Sequence, residues 1–287
     1  MLDLLAVLPQ YLLPKRMLTA FAGKCAASHA RWWTRSVIPW FIARYGVNMA
    51  EAADPGAGGY ACFNDFFTRA LRDGVRPLAQ ADFVSPVDGA IIQCGQIEGD
   101  QLLQAKGHRY STRALVGGDA RLAARFDDGQ FATLYLSPKD YHRIHMPCDG
   151  RLVRMIYVPG HLFSVNPTTT RGVPGLFARN ERVVCVFDSA RGPFVLTLVG
   201  ATIVGSIATV WHGVVNPPRL AAVREWQYDE QAISLRQGEE MGRFLLGSTV
   251  VMLFPKNMLH LRADWVPART VHMGEAMAMF SASTAPA

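Results

Sequence analysis

The chain has little with which to build a disulfide framework or a thiolate metal site. Its five cysteines (Cys25, Cys62, Cys94, Cys148 and Cys185) are odd in number, scattered, and nowhere spaced as Cys-x-x-Cys. That excludes cross-linked secreted scaffolds and Cys-based zinc modules, and it suits a reducing compartment. No compact Lys/Arg tract is interleaved with aromatics, and no zinc-finger or helix-turn-helix spacing occurs, so nucleic acid is not the expected partner. Internal repeats are lacking, and low complexity is confined to the small-residue tail 281–287, which is expected to fray. The opening Met1-Leu-Asp-Leu-Leu-Ala-Val-Leu carries an acid where a secretory leader carries bases, with no small-x-small cleavage site after it. Export is therefore not expected.

What is present is enough for a sizeable core: 287 residues, half of them hydrophobic and 18% charged. The net charge of +6 asks for an anionic partner, with an acidic membrane or an acidic small molecule preferred. Wound at the α-helical period, Pro14 to Cys25 places Met17, Leu18, Phe21, Ala22 and Cys25 on one face and Lys15, Arg16, Thr19 and Lys24 on the other. A second apolar block holds Trp32, Trp33, Val37, Ile38, Trp40 and Phe41, bracketed by Arg31, Arg35 and Arg44. Basic amphipathic helices rich in Trp and Phe lie in a bilayer interface; the alternative is a pair of helices packed on the core.

From about Arg76 the pattern turns to short β-branched runs separated by Gly and Pro: 89–94, 131–136, 151–158, 183–187, 194–199 and 248–254. The expected fold is α+β, with a helical, basic and aromatic docking region over 1–75 and a β-rich catalytic domain over 76–287. Residues 192–218 contain no Asp, Glu, Lys or Arg, as a membrane span would. Their Val, Ile and Thr content, with Gly200, Gly205, Gly213 and Asn216-Pro217-Pro218, predicts buried strands and tight turns instead.

Three segments combine reactive side chains with turn formers. Ser85-Pro86-Val87-Asp88-Gly89 reads either as an Asx turn or as a carboxylate placed to orient a histidine. In Tyr141-His142-Arg143-Ile144-His145-Met146-Pro147-Cys148 the two histidines suit acid/base work at a pocket mouth or are structural. No second Cys/His pair completes a metal site, so no metal is expected. Leu246-Gly247-Ser248-Thr249 is either a strand bend or a place for backbone chemistry. There a glycine without Cβ lets the Ser248 hydroxyl approach the preceding carbonyl carbon.

Together, Pro86 to Gly89, Tyr141 to Pro147 and Leu246 to Thr249 resemble the phosphatidylserine decarboxylase family, in its bacterial membrane-bound branch. The likeness extends to Phe66-Phe67-x-Arg69, Lys106 to His108, Pro159 to Asn166, Leu176 to Arg182, Val199 to Ala201 and Glu240 to Phe244, so it covers nearly the whole chain. One departure is Val87, where that branch has Ala; its effect is expected on packing.

The resemblance implies decarboxylation of phosphatidylserine to phosphatidylethanolamine, a step of phospholipid biosynthesis. It also implies a self-cleavage triad of Asp88, His145 and Ser248, in which Asp88 orients His145 and His145 takes the Ser248 proton. Attack on the Gly247 carbonyl gives an ester. Elimination, then rearrangement to an imine and its hydrolysis with loss of ammonia, convert Ser248 into a covalent pyruvoyl cofactor, leaving a large chain (1–247) and a small one (248–287). The pyruvoyl carbonyl forms a Schiff base with the substrate amine, and His142 is the implied proton donor in decarboxylation. Lys15, Arg16, Met17, Phe21, Trp32, Trp33, Trp40 and Phe41 are the expected docking residues of a peripheral enzyme on the cytoplasmic side of the cell membrane. A homo-oligomer is compatible with that surface. Two rivals remain open at this point: a Ser-His-Asp lipid hydrolase, although the Gly-x-Ser-x-Gly elbow is missing, and a non-catalytic module binding anionic lipid.

Overall fold

The computed structural model describes residues 2–203, 206–216, 219 and 221–281, with the side chains of residues 2–6 and of Ser248 outside that description. Helices come first: α1 (Leu2–Leu12), α2 (Lys15–Ala26), α3 (Arg31–Tyr45) and the short α4 (Phe63–Phe67). Helix α3 ends at Gly46, whose φ of 68° forms a left-handed cap that returns its N–H to the Ile42 carbonyl. Both α1 and α3 carry an internal proline, Pro9 and Pro39.

The β-branched runs become strands of a large antiparallel sheet, and further strands form a smaller one beside it. In chain order these are β1 (Gly89–Gln96), β2 (Gln130–Leu136), β3 (Arg143–His145), β4 (Gly150–Val158), β5 (Arg182–Ser189) and β6 (Gly192–Val199). There follow β7 (Ile207–Thr209), β8 (Gly213–Val214), β9 (Arg224–Gln227), β10 (Glu240–Phe244), β11 (Ser248–Phe254) and β12 (Thr270–Val271). The large sheet runs β9-β4-β5-β6-β11-β2-β1-β12, and a smaller one runs β8-β7-β10-β3. The fold is α+β, as the residue patterns predict.

Alternation along β11 shows how the sheet is buried on both faces. Val250, Met252 and Phe254 enter one apolar cluster with Leu134, Leu136 and Phe194, whereas Val251 and Leu253 enter another with Phe131, Val195 and Val199. The charge-free segment 192–218 supplies β6, β7 and β8. Among the described residues, no helix is long and apolar enough to cross a membrane.

A third cluster joins the helices to the sheet. Phe41, Phe63, Phe66 and Phe67 pack edge to face or stacked with ring centroids 5.0–6.0 Å apart, and Leu246, just before the expected cleavage point, lies among them. This corrects the expectation for Phe41, which is buried in that cluster and offers nothing to a membrane. Trp33 is also half turned inward, its indole N–H donating to the Cys25 carbonyl at 2.9 Å. Helix α2 does the opposite. Thr19, from its polar face, is buried, and Met17 and Phe21, from its apolar face, are 74% and 69% exposed. Trp32 and Trp40 of α3 are exposed likewise.

Candidate active site

The strand order brings the three motifs to one end of the sheet. Asp88 immediately precedes β1, Leu136 closes β2, and Ser248 opens β11 directly opposite Leu136. The segment leaving β2 runs through Pro138 and Asp140 to His142 and into β3. Strand β3 is held on one side by β10 and on the other by the His145 N–H, which donates 2.9 Å to the Pro86 carbonyl. The Phe244 N–H donates to the His142 carbonyl at 3.1 Å, so the chain passes from beside His142 straight into Leu246-Gly247-Ser248.

At that junction the backbone is strained. Leu246 has φ 111° and Gly247 has φ 46°, both in the left-handed region. Glycine occupies it freely; a branched-chain residue such as Leu does so at a cost of about 1–3 kcal/mol. Leu246 and Gly247 form part of the wall of a cavity of about 340 Å³, completed on its apolar side by Phe41, Tyr45, Phe67, Tyr135, Leu136 and Ile203. The side chain of Ser248 lies outside the described residues, and no contact is assigned to it.

His145 is half-buried and its two nitrogens are both engaged. Nδ1 lies 2.8 Å from the Gly238 carbonyl oxygen, which can only accept, so Nδ1 carries the proton. Nε2 is then the bare nitrogen and accepts from the Tyr141 hydroxyl at 3.0 Å. Burial holds the imidazole below its ordinary value, and burial pushes the Tyr141 phenol up to about 12, so the phenol stays protonated and donates.

Asp88 is not hydrogen-bonded to this ring. Its carboxylate takes a forked pair of bonds from Arg76 (Nε 3.0 Å, Nη2 2.6 Å) and the Met273 N–H at 2.8 Å, and Arg76 also reaches Glu51 at 2.7 Å. The orientation of His145 expected from Asp88 is thus supplied by the Gly238 carbonyl. Asp88 contributes its charge, which favours the protonated ring from a distance.

His142 is fully buried. Its Nδ1 donates to the Asp140 carbonyl at 2.8 Å, its ring lies 4.0 Å from that of Phe67, and its Nε2 has no hydrogen-bond partner. Burial, reinforced by the charge of Arg69, pulls it down to about 3, leaving a neutral imidazole with a bare lone pair. Arg69 is also buried. Its Nη2 donates to the Lys139 carbonyl at 3.2 Å, and Nε and Nη1 lack partners. Arg76, Glu51, Tyr141 and Gly238 had no assigned role in the sequence. The spacing of Tyr141 four residues before His145 was the one signal available for any of them.

A family model described as phosphatidylserine decarboxylase matches residues 63–279. This chain belongs to that family. A second model, described as PSD, matches residues 5–46. A phosphatidylserine decarboxylase proenzyme of Albidiferax ferrireducens is 71% identical over 278 residues, covering 97% of this chain and 98% of the relative. Those of Dechloromonas aromatica and Polaromonas naphthalenivorans are 69% and 70% identical, covering 96% and 99% of this chain and 98% and 99% of their own lengths. In this phosphatidylserine decarboxylase relative, the strained Leu246-Gly247 junction and the paired histidines therefore lie in the region matched by the family model.

The residues present fit a pyruvoyl group at position 248. The preceding glycine has a left-handed φ and lines an apolar cavity, and an unpartnered imidazole nitrogen is buried behind Phe67. Among the described residues no group of three His, Cys, Asp or Glu side chains is placed to hold a metal.

Proposed function

We propose that this chain is a proenzyme that cuts itself between Gly247 and Ser248 and then decarboxylates phosphatidylserine to phosphatidylethanolamine. The observation that carries the reading is the meeting of Asp88, His142, His145 and the strained Leu246-Gly247 backbone at one end of adjacent strands, beside an apolar cavity. For the cut, His145 Nε2 leaves the Tyr141 hydroxyl and accepts the Ser248 proton, and the freed oxygen attacks the Gly247 carbonyl carbon. The Asp88 charge favours the imidazolium that forms.

Formed at position 248, a pyruvoyl group would supply an electrophilic carbonyl for the substrate amine and an electron sink for loss of carbon dioxide. The chain's own part is proton handling and exclusion of water. Neutral His142 accepts a proton at Nε2 from the substrate ammonium and returns it to the α-carbon. Phe41, Phe67 and Leu136 keep that exchange dry.

Peripheral docking belongs to the same reading. The cavity wall residue Ile203 donates its N–H to Thr19 of α2 at 3.0 Å, so the cavity adjoins the helix whose outer face bears Met17 and Phe21 beside Lys15 and Arg16. A headgroup could enter from a bilayer without leaving it.

Intact-mass analysis tests the cut. Purified protein should appear as two chains, the second lighter by one ammonia than a peptide beginning with Ser248, and Ser248→Ala should remain one full-length chain. Active protein with a single uncut chain would overturn the reading. His142→Ala should be cleaved yet fail to release carbon dioxide, and retained turnover would remove its role.

A further inference from the structure

Beside the cavity, the surface gathers cations that the reaction does not use. Lys15, Arg16 and His161 line a notch of about 270 Å³ together with Leu13, Met17 and Leu162. Phe163 lies under it: Lys15 Nζ sits 4.5 Å from the ring centroid, the Arg179 guanidinium 5.1 Å, and the His161 ring 5.4 Å. The backbone ties two of these together, the His161 N–H donating 2.8 Å to the Arg179 carbonyl.

Among the described residues no carboxylate pairs with Lys15, Arg16 or Arg179; the Lys15 ammonium donates instead to the Gln10 carbonyl. The acid nearest in sequence, Glu181, is buried and takes its bonds from Tyr157, Asn216 and Arg219. Burial first, and the neighbouring cations after it, hold both Lys15 and His161 below their ordinary values. Like charges gathered without a counter-ion repel, and a bound anion relieves them. The rim says which anion. Leu13 and Met17 line the notch beside the basic groups and stand exposed, an apolar edge next to cations that suits a phospholipid better than a free anion.

We infer that Lys15, Arg16, His161 and Arg179 seat the phosphate of an anionic membrane phospholipid other than the one undergoing reaction. The inference rests on the docking reading above and gives it a defined contact. The seat would fix how the protein sits on the bilayer, because Leu162 of the notch accepts from the hydroxyl of Thr202, a cavity residue. The Arg179 guanidinium offers forked donors suited to phosphate; Lys15 offers a point charge.

The test is cosedimentation of the full, processed protein with vesicles of phosphatidylcholine alone or mixed with phosphatidylglycerol. Wild type should bind the mixed vesicles more tightly, and Arg179→Gln and Lys15→Gln should each lose about fivefold on those vesicles only. Met17→Glu should weaken binding to both. Arg179→Lys should keep most of the preference; equal loss in the Lys and Gln variants would assign the effect to packing on Phe163 and overturn the seat. So would unchanged binding of Arg179→Gln, or a raised KM of that variant for monomeric short-chain phosphatidylserine without vesicles, which would make the notch part of the substrate site. Wild type that binds neither vesicle would overturn the docking reading itself, and the seat with it.

Discussion

His142 offers a test that is independent of catalysis. Its imidazole is held at about 3 in the folded chain, chiefly by burial, against ~6.5 for the unfolded one. The folded state therefore refuses a proton that the unfolded state accepts. Above the unfolded value this costs nothing. As pH falls below it, stability drains away, and the loss levels off only near the folded value. At about pH 5 the penalty is ~2 kcal/mol, growing to roughly 4 kcal/mol by about pH 3. The comparison is between Ser248→Ala precursor and the same precursor carrying His142→Gln, an uncharged polar replacement, each unfolded in urea with tryptophan fluorescence as the signal. His145 shifts in the same direction but is common to both proteins and cancels. Whatever the gap in stability at about pH 7.5, it should move by ~2 kcal/mol in favour of the Gln variant at about pH 5. A gap that stays constant within about 0.5 kcal/mol would show that His142 is not the buried neutral group described here.

Gly89→Ala should slow self-cleavage and lower stability by about 1–3 kcal/mol, because a Cβ there would lie 2.4 Å from the Tyr135 carbonyl oxygen and push Asp88 off the end of β1; thermal melting and a cleavage time course check it. Arg76→Met leaves the Asp88 carboxylate buried without its forked partner, a loss of about 3–5 kcal/mol, and urea titration should recover much of it in the Arg76→Met/Asp88→Asn double variant. Tyr141→Phe frees His145 Nε2 of a hydrogen bond that the cut must otherwise break, so processing should quicken by about fivefold, the equivalent of ~1 kcal/mol. Slower processing on a time-course gel would assign the phenol to holding the ring in place.

Much of the sheet was legible because its period is short and local. The run 248–254 became β11 residue for residue, and 151–158 and 194–199 became β4 and β6 with a residue or two added at their starts. The charge-free 192–218 declared itself as strands through Val, Ile, Thr and Gly. Helix faces were harder to read. Pro39 sits inside α3 and aromatic residues occur on more than one side of it, so periodicity alone did not separate Phe41, which packs on Phe63 and Phe67, from Trp40, which faces out. The candidate site was legible as residue types, through the motifs at Asp88, His142, His145 and Gly247-Ser248. Its wiring was not. Arg76 meets Asp88 and Glu51, and Gly238 meets His145, across long stretches of chain, and nothing local in the sequence encodes such meetings. The positive φ of Leu246 was equally hidden, and so was the packing of that residue among the α3 and α4 phenylalanines, which lie far away in the chain.

Strand β11 is flanked on both edges, by β6 and β2, along almost its full length. A cut just ahead of it would therefore sever the chain without releasing either piece: the shorter one would remain threaded as an interior stave of the sheet, its amides shared with two neighbours. Such a molecule could not be assembled from its separated halves without first opening the sheet. Maturation would then be a single event in each molecule's life, and dissociation of the two chains would be the same process as unfolding.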